Sequence, residues 1–182
     1  MNRKKVCVIL PCYRVKHKIY TVYKKLVKTG VECLIFVDDK CPQESVKNLK
    51  KKIKINKKVQ FIFLKKNLGV GGATIEGFKS AYKQKFNIII KFDADNQHKI
   101  TDLIKIINKL KEENVNFCKG YRNLSLRDSF KRKMPLIRIV GANALTIISN
   151  ITTNNYKTKD VTNGLFGMKS HILKKINLLN LK

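Results

Sequence analysis

The chain has 182 residues, and its 40 Lys and Arg against 12 Asp and Glu give a formal net charge of +28. This length favours one compact domain that buries its core without disulfide or metal support, and it leaves no room for a second full domain. The charge makes nucleic acid, anionic lipid and phosphorylated substrates candidate partners. The alternative explanation is a strongly AT-biased genome, which enriches Lys, Asn and Ile without selection for binding.

The cysteines and the lengths of the apolar runs argue against several classes of protein. Cysteine occurs at Cys7, Cys12, Cys33, Cys41 and Cys118. This odd set has no C-x-x-C pair, so neither a disulfide framework nor a zinc site is indicated. The first apolar run ends at Pro11, too early for a signal peptide, and no run reaches the roughly 18 apolar residues of a membrane span. We therefore expect a cytoplasmic protein.

Short runs rich in Val, Ile and Phe alternate with segments of helical period. Strands are expected at Val6–Leu10, Cys33–Val37, Val59–Leu64, Asn87–Phe92 and Asn116–Lys119. Helices are expected at Lys16–Lys28, Gln43–Lys51, Gly72–Lys85 and Thr101–Lys111. This order predicts an α/β fold with a mostly parallel sheet flanked by helices.

The alternation of strands and helices changes after Gly120. A polar, basic segment with the characteristics of a mobile loop precedes a predicted buried helix over Leu136–Ile151, and a strand pair is predicted around Asp160–Met168. We expect one domain with a first half at about residues 1–120 and a second half at about 121–182.

Polar or turn-forming residues follow each of the first four strands. In an open α/β sheet, ligands bind outside the carboxyl ends of the strands, so these residues should meet in one crevice. They are Pro11 and Tyr13, then Asp38 and Asp39, then the segment Lys65–Ala73, and finally Asp93 and Asp95. The glycines of "GVGG" do not follow the first strand, which argues against a dinucleotide fingerprint and favours a tight entry into the next helix.

Asp93 and Asp95 are separated by one residue at the end of an extended run, so their carboxylates should project to the same side. Two like charges this close repel unless a cation lies between them. Carboxylates, waters and substrate phosphates are the ligands that Mg²⁺ or Mn²⁺ accepts. The pair therefore predicts binding of a metal and a diphosphate, the alternative being a solvated acidic turn at the start of the next helix.

Six segments in this order resemble the family 2 glycosyltransferases, which have the GT-A nucleotide-sugar fold. They are "VILPCY", "CLIFVDDKCPQES", "NLGVGGATIEGF", "IIIKFDADNQH", "FCKGYR" and "DVTNGLFGMK", and they extend over nearly the whole chain. Within the family, these segments most resemble those of dolichyl-phosphate mannosyltransferases and of bacterial enzymes that glycosylate polyprenyl phosphate. The resemblance implies that residues 1–120 are the nucleotide-sugar half and residues 121–182 the acceptor half.

The resemblance also implies roles for individual residues. The positions implied to bind the nucleotide sugar are Pro11, Tyr13, Val37, Asp38, Asp39, Asn67, Gly71, Gly72, Asp93, Ala94 and Arg122. Asp95 and Gln97, with Asp93, would hold Mg²⁺ or Mn²⁺. Arg122 would face the diphosphate or a phosphate acceptor.

The implied reaction is a transfer with inversion at the anomeric carbon, from a nucleoside-diphosphate sugar to a polyprenyl phosphate or a glycan or glycolipid precursor. A lipid phosphate is already anionic and needs no general base, whereas a sugar hydroxyl does. Asp160 is the candidate base, and its alternative role is to form the turn before "VTNG". His98 has two readings as well, a contact to phosphate or a local role at the helix entry.

Departures from the family pattern concern nucleoside recognition. Val15 replaces the usual acidic residue after the first motif, and Lys40 and Cys41 replace the usual Gly-Ser after the aspartate pair. Family members commonly continue beyond the "TNG" segment, so we expect a truncated or minimal form. The cluster Lys131–Lys133 beside the apolar helix suggests peripheral attachment to an anionic membrane surface.

Three other readings stay open. A sugar-phosphate nucleotidyltransferase would share the fold, but the segment after the first strand lacks the glycines that such an enzyme usually has there. A non-catalytic nucleotide-sugar-binding domain is a second alternative. A nucleic-acid-binding module is disfavoured because aromatic residues are not interleaved with the basic ones.

Overall fold

A six-stranded sheet forms the centre of the part of the chain that the structure describes. In this computed structural model the described residues are 4–54, 56–121, 145–147, 149, 160 and 162–175. The strands are β1 (Val6–Cys12), β2 (Cys33–Asp38), β3 (Val59–Phe63), β4 (Ile88–Lys91), β5 (Phe117–Lys119) and β6 (Phe166–Lys169). Their order across the sheet is β3-β2-β1-β4-β6-β5.

The sheet is mostly parallel, as the sequence predicts. β1 pairs in parallel with β2 and with β4, and β2 pairs in parallel with β3. β6 pairs antiparallel with β4. Because β1 and β4 are neighbours, the loops that follow Cys12 and Lys91 leave the sheet side by side at its carboxyl edge, where ligands bind in this class of fold.

Helices cover both faces of this sheet. They are α1 (Ile19–Leu26), α2 (Ser45–Lys52), α3 (Gly69–Lys83), α4 (Ile100–Lys111) and α5 (Ser170–Lys175). A short 3₁₀ turn, Val27–Thr29, continues α1 and ends at Gly30, whose φ of 74° is a left-handed conformation that glycine adopts without strain. α3 begins three residues before its predicted start.

Two separate apolar clusters lie on the two faces of the sheet. Along β1, Val8 and Leu10 join the cluster that contains the buried faces of α1, α2 and α4. Cys7 and Ile9, which alternate with them, join the cluster that contains α3 and α5. This alternation is what a strand covered on both faces requires. β1 is therefore the central strand of a three-layer core.

The predicted strand pair around Asp160–Met168 is wrong as a pair. Of the described residues in this range, only those of β6 form a strand, and β6 lies between β4 and β5 in the sheet rather than beside a neighbouring segment. Gly167 allows this close approach: a Cβ at that position would lie 2.7 Å from Ile90 Cγ1 and 2.9 Å from Leu110 Cδ1. β6 can lie this close to β4 and α4 because Gly167 has no side chain.

The chain separates into two compact units. The first comprises Met1–Cys118 and Leu165–Lys182, and the second comprises Lys119–Gly164. In the second unit, Lys119 Nζ donates a hydrogen bond to the carbonyl of Asn163 at 2.6 Å. Of the helix predicted over 136–151, the described residues 145–147 and 149 are helical. The polar segment before it and the cluster Lys131–Lys133 lie outside the described residues.

Among the helices that the structure describes, none combines the length and the apolar character needed to cross a bilayer.

Candidate active site

A cleft opens where β1, β2 and β4 end, within the first unit. Its volume is about 190 Å³. It is lined by Pro11, Cys12, Tyr13, Val15, Asp39, Val70, Asp93, Ala94 and Asp95. Six of these nine residues are ones that the sequence predicts for the site, namely Pro11, Tyr13, Asp39, Asp93, Ala94 and Asp95. The carboxyl edge of the sheet therefore does bring the strand-end residues together.

Asp39 fixes the wall of the cleft that follows β2. Its backbone N–H donates to the carbonyl of Cys12 at 3.1 Å, which joins the ends of β1 and β2. Its Oδ1 accepts a hydrogen bond from the backbone N–H of Leu68 at 2.7 Å, and Asn67 Nδ2 donates to its carbonyl at 3.1 Å. The residue is only 2% exposed. Asp39 thus holds the loop before α3 against the end of the sheet.

Val37 and Asp38 do not line the cleft, although both are implied to hold the nucleoside. Val37 is fully buried and packs against α3 at Gly77, so its side chain is part of the core. Asp38 is 5% exposed, and its Oδ1 accepts a hydrogen bond from the backbone N–H of Cys41 at 2.8 Å. Of the residues at the end of β2, Asp39 is the one that faces the cleft.

The segment between β3 and α3 turns tightly into the helix. Asn67 Oδ1 accepts a hydrogen bond from the backbone N–H of Gly69 at 3.0 Å, and Gly69 has a φ of 71°. Gly72 has no room for a side chain, because a Cβ there would lie 2.4 Å from Leu68 Cβ. Gly71 faces open space. Val70, between these glycines, brings the first turn of α3 to the cleft wall.

Asp93 is held from two sides. Lys91 Nζ forms a hydrogen-bonded ion pair with Asp93 Oδ1, and His98 Nε2 lies 2.8 Å from Asp93 Oδ2. Burial alone would raise the pKa of Asp93, but the hydrogen bond from His98 and the charge of Lys91 outweigh it and lower the pKa from 3.8 to about 2. Asp93 is therefore a carboxylate at neutral pH. The bond to His98 agrees with the local role that the sequence allows for this histidine.

Asp95 lies in a turn rather than in a strand. β4 ends at Lys91, so the strand alternation that predicts the directions of the two aspartates does not extend to them. Asp95 is half-buried, and its Oδ1 accepts a hydrogen bond from the backbone N–H of Gln97 at 3.0 Å. Asn96, between them, adopts a left-handed φ of 64°. Asp93 and Asp95 nevertheless both line the cleft, together with Pro11, Cys12 and Tyr13 at the end of β1.

The oxygen atoms of Asp95 and Gln97 suit a hard cation that is also bound by water and by substrate phosphate. Among the described residues there is no group of three or more His, Cys, Asp and Glu side chains that would enclose a metal. Mg²⁺ and Mn²⁺ do not require such a cage, since they are commonly held by one or two carboxylates together with water and substrate phosphate. Asp95 Oδ2 accepts no hydrogen bond from the described residues, so it can serve as such a ligand. Gln97 is exposed beside it.

Two other predicted residues are not in the cleft lining. Arg122 lies outside the described residues. Asp160, in the second unit, is 1% exposed, and its Oδ1 accepts hydrogen bonds from the backbone N–H of Thr162 at 3.0 Å and from its Oγ1 at 2.8 Å. Side-chain bonds of this kind stabilise a turn. They support the turn-forming role of Asp160, and its role as a base stays a prediction.

Three lining residues have no individual role in the sequence prediction, and one buried partner was not predicted. Cys12 and Val70 lie in strand-end segments that are predicted to reach the crevice, and Val15 stands where the family usually has an acidic residue, but an apolar residue in a cleft wall has the same pattern as one in the core. Lys91 was missed as the partner of Asp93. The available signal was a lysine inside an otherwise apolar strand, which must find a counter-ion if the strand is buried.

Comparison with known proteins places this chain in a family. The sequence profile of "Glycosyl transferase family 2" matches residues 7–176. The UDP-N-acetylglucosamine–dolichyl-phosphate N-acetylglucosaminyltransferase of Methanococcus voltae is 31% identical over 186 residues, which cover 96% of this chain and 73% of that protein. An uncharacterized protein of Methanocaldococcus jannaschii is 29% identical over 178 residues, covering 97% of this chain and 69% of that protein.

Solved structures agree on the fold. Glucosyl-3-phosphoglycerate synthase from Mycobacterium tuberculosis, in complex with Mn²⁺, UDP and glucosyl-3-phosphoglycerate, superposes with a TM-score of 0.68 at 12% sequence identity. The match covers 93% of this chain and 58% of that one, so this chain spans little more than half the length of the solved enzyme. At this identity the similarity shows the fold alone. It confirms the predicted GT-A architecture.

Proposed function

This chain belongs to glycosyl transferase family 2 and is a glycosyltransferase, and we propose that it transfers a sugar from a nucleoside diphosphate sugar with the help of Mg²⁺ or Mn²⁺. The observation that carries the proposal is the cleft at the carboxyl edge of the sheet, where Asp39, Asp93 and Asp95 meet. In a chain with a net charge of +28, the carboxylates that line this cleft offer acceptors for sugar hydroxyls, and Asp95 offers an oxygen to a cation that diphosphate and water also bind.

The donor is proposed to lie along the wall between β1 and α3. Tyr13, which is 42% exposed, offers an aromatic face for the base, and Asp39 offers a carboxylate oxygen to its edge or to the ribose. Pro11 and Ala94 add apolar surface to the lining. Gly71 and Gly72 let the backbone at the start of α3 approach an anion, and Arg122 is proposed to face the diphosphate.

The cation is proposed to bind at Asp95, with Gln97 beside it and Asp93 nearby. When bound, it stabilises the charge that builds on the leaving diphosphate. Asp93 remains ionised at neutral pH and can accept a hydrogen bond from a ribose or sugar hydroxyl. Asp95 is the residue whose loss should affect donor binding most.

The proposed acceptor is a polyprenyl phosphate. The Methanococcus voltae relative is named for transfer to dolichyl phosphate, and a phosphate oxygen is already anionic at neutral pH. In an inverting transfer this oxygen attacks the anomeric carbon as the bond to the diphosphate breaks, and the nucleoside diphosphate leaves with the electron pair. No proton has to be removed, which agrees with Asp160 being engaged in a turn. A glycan or glycolipid hydroxyl is the alternative acceptor and would require a base.

Peripheral attachment to an anionic membrane surface follows from a lipid acceptor. The basic cluster Lys131–Lys133 is proposed to provide it, with about 1 kcal/mol per charge near the surface. Sedimentation with vesicles that contain anionic lipid tests this part separately. Binding that does not weaken with added salt would contradict an electrostatic attachment.

A thermal-shift panel of UDP-, GDP- and dTDP-sugars, with and without Mn²⁺, tests the central proposal. We expect at least one donor to raise the melting temperature of the wild type, to do so more strongly with Mn²⁺, and to lose that effect in Asp95→Ala. Stabilisation by none of them, or equal stabilisation of the variant, would overturn the proposal. Transfer of radiolabelled sugar from the selected donor to dolichyl phosphate then tests the acceptor.

A further inference from the structure

Lys40 directly follows Asp39 at the edge of the cleft and has an unusual backbone conformation. Its φ of 54° lies in the left-handed region, where the Cβ of any residue except glycine crowds the backbone. Glycine is also the usual residue of the family pattern at this position. The chain therefore carries a lysine at a place where glycine would fold with less strain.

The peptide groups on both sides of Lys40 are held by hydrogen bonds. The carbonyl of Asp39 accepts a hydrogen bond from Asn67 Nδ2 at 3.1 Å. On the other side, the backbone N–H of Cys41 donates to Asp38 Oδ1 at 2.8 Å. The backbone at Lys40 cannot relax without breaking one of these bonds, so the point from which the side chain extends is fixed.

The ammonium group of Lys40 is available to a ligand. The residue is exposed, and within the described part of the chain it forms neither a side-chain hydrogen bond nor an ion pair. Arg14, the cationic residue after β1, lies over the Tyr13 ring, with its Cζ 5.3 Å from the ring centroid. Asp39 lines the cleft, and its Oδ1 accepts one hydrogen bond from Leu68. Consecutive residues at the end of β2 thus offer a hydrogen-bond acceptor and a hydrogen-bond donor.

A nucleobase that presents a ring N–H next to a carbonyl oxygen complements this pair. Uracil, thymine and guanine have such an edge, with the N–H for the carboxylate and the carbonyl for the ammonium. Cytosine and adenine have an unprotonated ring nitrogen beside an amino group, so they would place a lone pair against the carboxylate and a donor against the ammonium. Tyr13, which also lines the cleft, offers a ring on which a base can stack.

We propose that Lys40 is a specificity-determining residue, which donates a hydrogen bond to a carbonyl oxygen of the nucleobase while Asp39 accepts one from the adjacent ring N–H. The pair selects a uracil, thymine or guanine nucleotide over a cytosine or adenine nucleotide. This inference rests on the proposed function because it concerns the same nucleotide-sugar site. The strained backbone of Lys40 agrees with a residue that serves binding rather than stability.

Isothermal titration calorimetry of the purified chain with UDP, dTDP, GDP, CDP and ADP, each with Mn²⁺ present, tests the selection. We expect at least one of UDP, dTDP and GDP to bind about tenfold or more tightly than CDP and ADP, because a mismatched base leaves polar groups unpaired. The nucleotide that binds most tightly identifies the base. An affinity for CDP or ADP equal to that of the best of the other three overturns the proposal.

Lys40→Gly removes the ammonium group and relieves the backbone strain, and Lys85→Gly is its matched control. Lys85 is also an exposed lysine with a left-handed φ, 58°, but it lies between α3 and β4, at the opposite edge of the sheet. Both substitutions should leave the melting temperature unchanged or raise it by up to about 4 °C. Only Lys40→Gly should weaken binding of the preferred nucleotide, by about fivefold or more, because a charge-assisted hydrogen bond is lost. A loss in Lys40→Gly that is no larger than the loss in Lys85→Gly overturns the proposal.

Inorganic pyrophosphate separates a contact to the base from a contact to the diphosphate. With Mn²⁺ present, pyrophosphate should bind equally to the wild type and to Lys40→Gly, and an equal loss for pyrophosphate and for the preferred nucleotide overturns the proposal. Binding of none of the five nucleotides refutes the proposed function and this inference with it. Nucleotide binding that Lys40→Gly leaves unchanged refutes this inference alone.

Discussion

Gly77 lies where α3 crosses β1, and we expect Gly77→Ala to destabilise the fold. A Cβ at this position would lie 2.2 Å from Ile9 Cγ2 and 3.2 Å from Val37 Cγ2. Both neighbours are fully buried and branched at Cβ, so neither can rotate away easily. Overpacking of this kind costs about 1–3 kcal/mol, and the short contact to Ile9 places it at the upper end. The higher helix propensity of alanine offsets about 1 kcal/mol.

The net expectation is a loss of about 2 kcal/mol in the free energy of unfolding, which corresponds to about 4–8 °C in melting temperature for a chain of this size. Urea denaturation followed by circular dichroism measures it. Gly71→Ala is the matched control, since it lies in the same helix with nothing within 4 Å of its Cβ position. It should be neutral or stabilising by up to about 1 kcal/mol. Equal effects of the two substitutions would refute the packing argument.

Three further predictions concern the cleft. The lowered pKa of Asp93 stabilises the fold above pH 3.8, and this contribution is lost as the pH falls to about 2. In urea titrations the wild type should therefore lose at most about 2 kcal/mol of stability over that interval from this group, and Asp93→Asn should not show this loss. The same dependence of stability on pH in both proteins would contradict the prediction. Asp39→Ala leaves the N–H of Leu68 without its acceptor and should cost about 1–3 kcal/mol in the same assay, a change below about 0.5 kcal/mol being the contrary result. Asp95→Ala should abolish the Mn²⁺-dependent thermal shift by a donor sugar but change the melting temperature of the free protein little, and a large fall in the latter would indicate a structural role instead.

Periodicity in the sequence was sufficient to predict the layers of the fold. Leu103, Ile106, Ile107 and Leu110 recur at helical spacing, and all four are buried in α4 as predicted. The first five strand predictions hold to within two residues at each end, because continuous runs of Val, Ile and Phe leave little choice of period. The rule that ligands collect at carboxyl strand ends then located most of the cleft without any structure.

Pairing between distant segments was beyond the sequence. Nothing local in residues 166–169 indicates that they lie beside β4, because strand neighbours are set by the packing of the whole sheet. The sequence also could not predict in which direction a side chain points once the chain has left a strand. Val37, the last apolar residue predicted for β2, is in the core, while Asp39, two residues later, reaches the cleft only through its hydrogen bonds to Cys12 and Leu68.

The position of β6 has a consequence for how the chain is made. β4 leads into the loop that holds Asp93 and Asp95, and one of the two edges of β4 is covered by residues that follow it by more than seventy positions. During synthesis, β4 can pair with β1 while its other edge still presents unpaired N–H and C=O groups, which are a template for wrong partners. The nascent chain is therefore most exposed to aggregation in the interval between the emergence of Lys91 and that of Phe166, when a chaperone would protect it best.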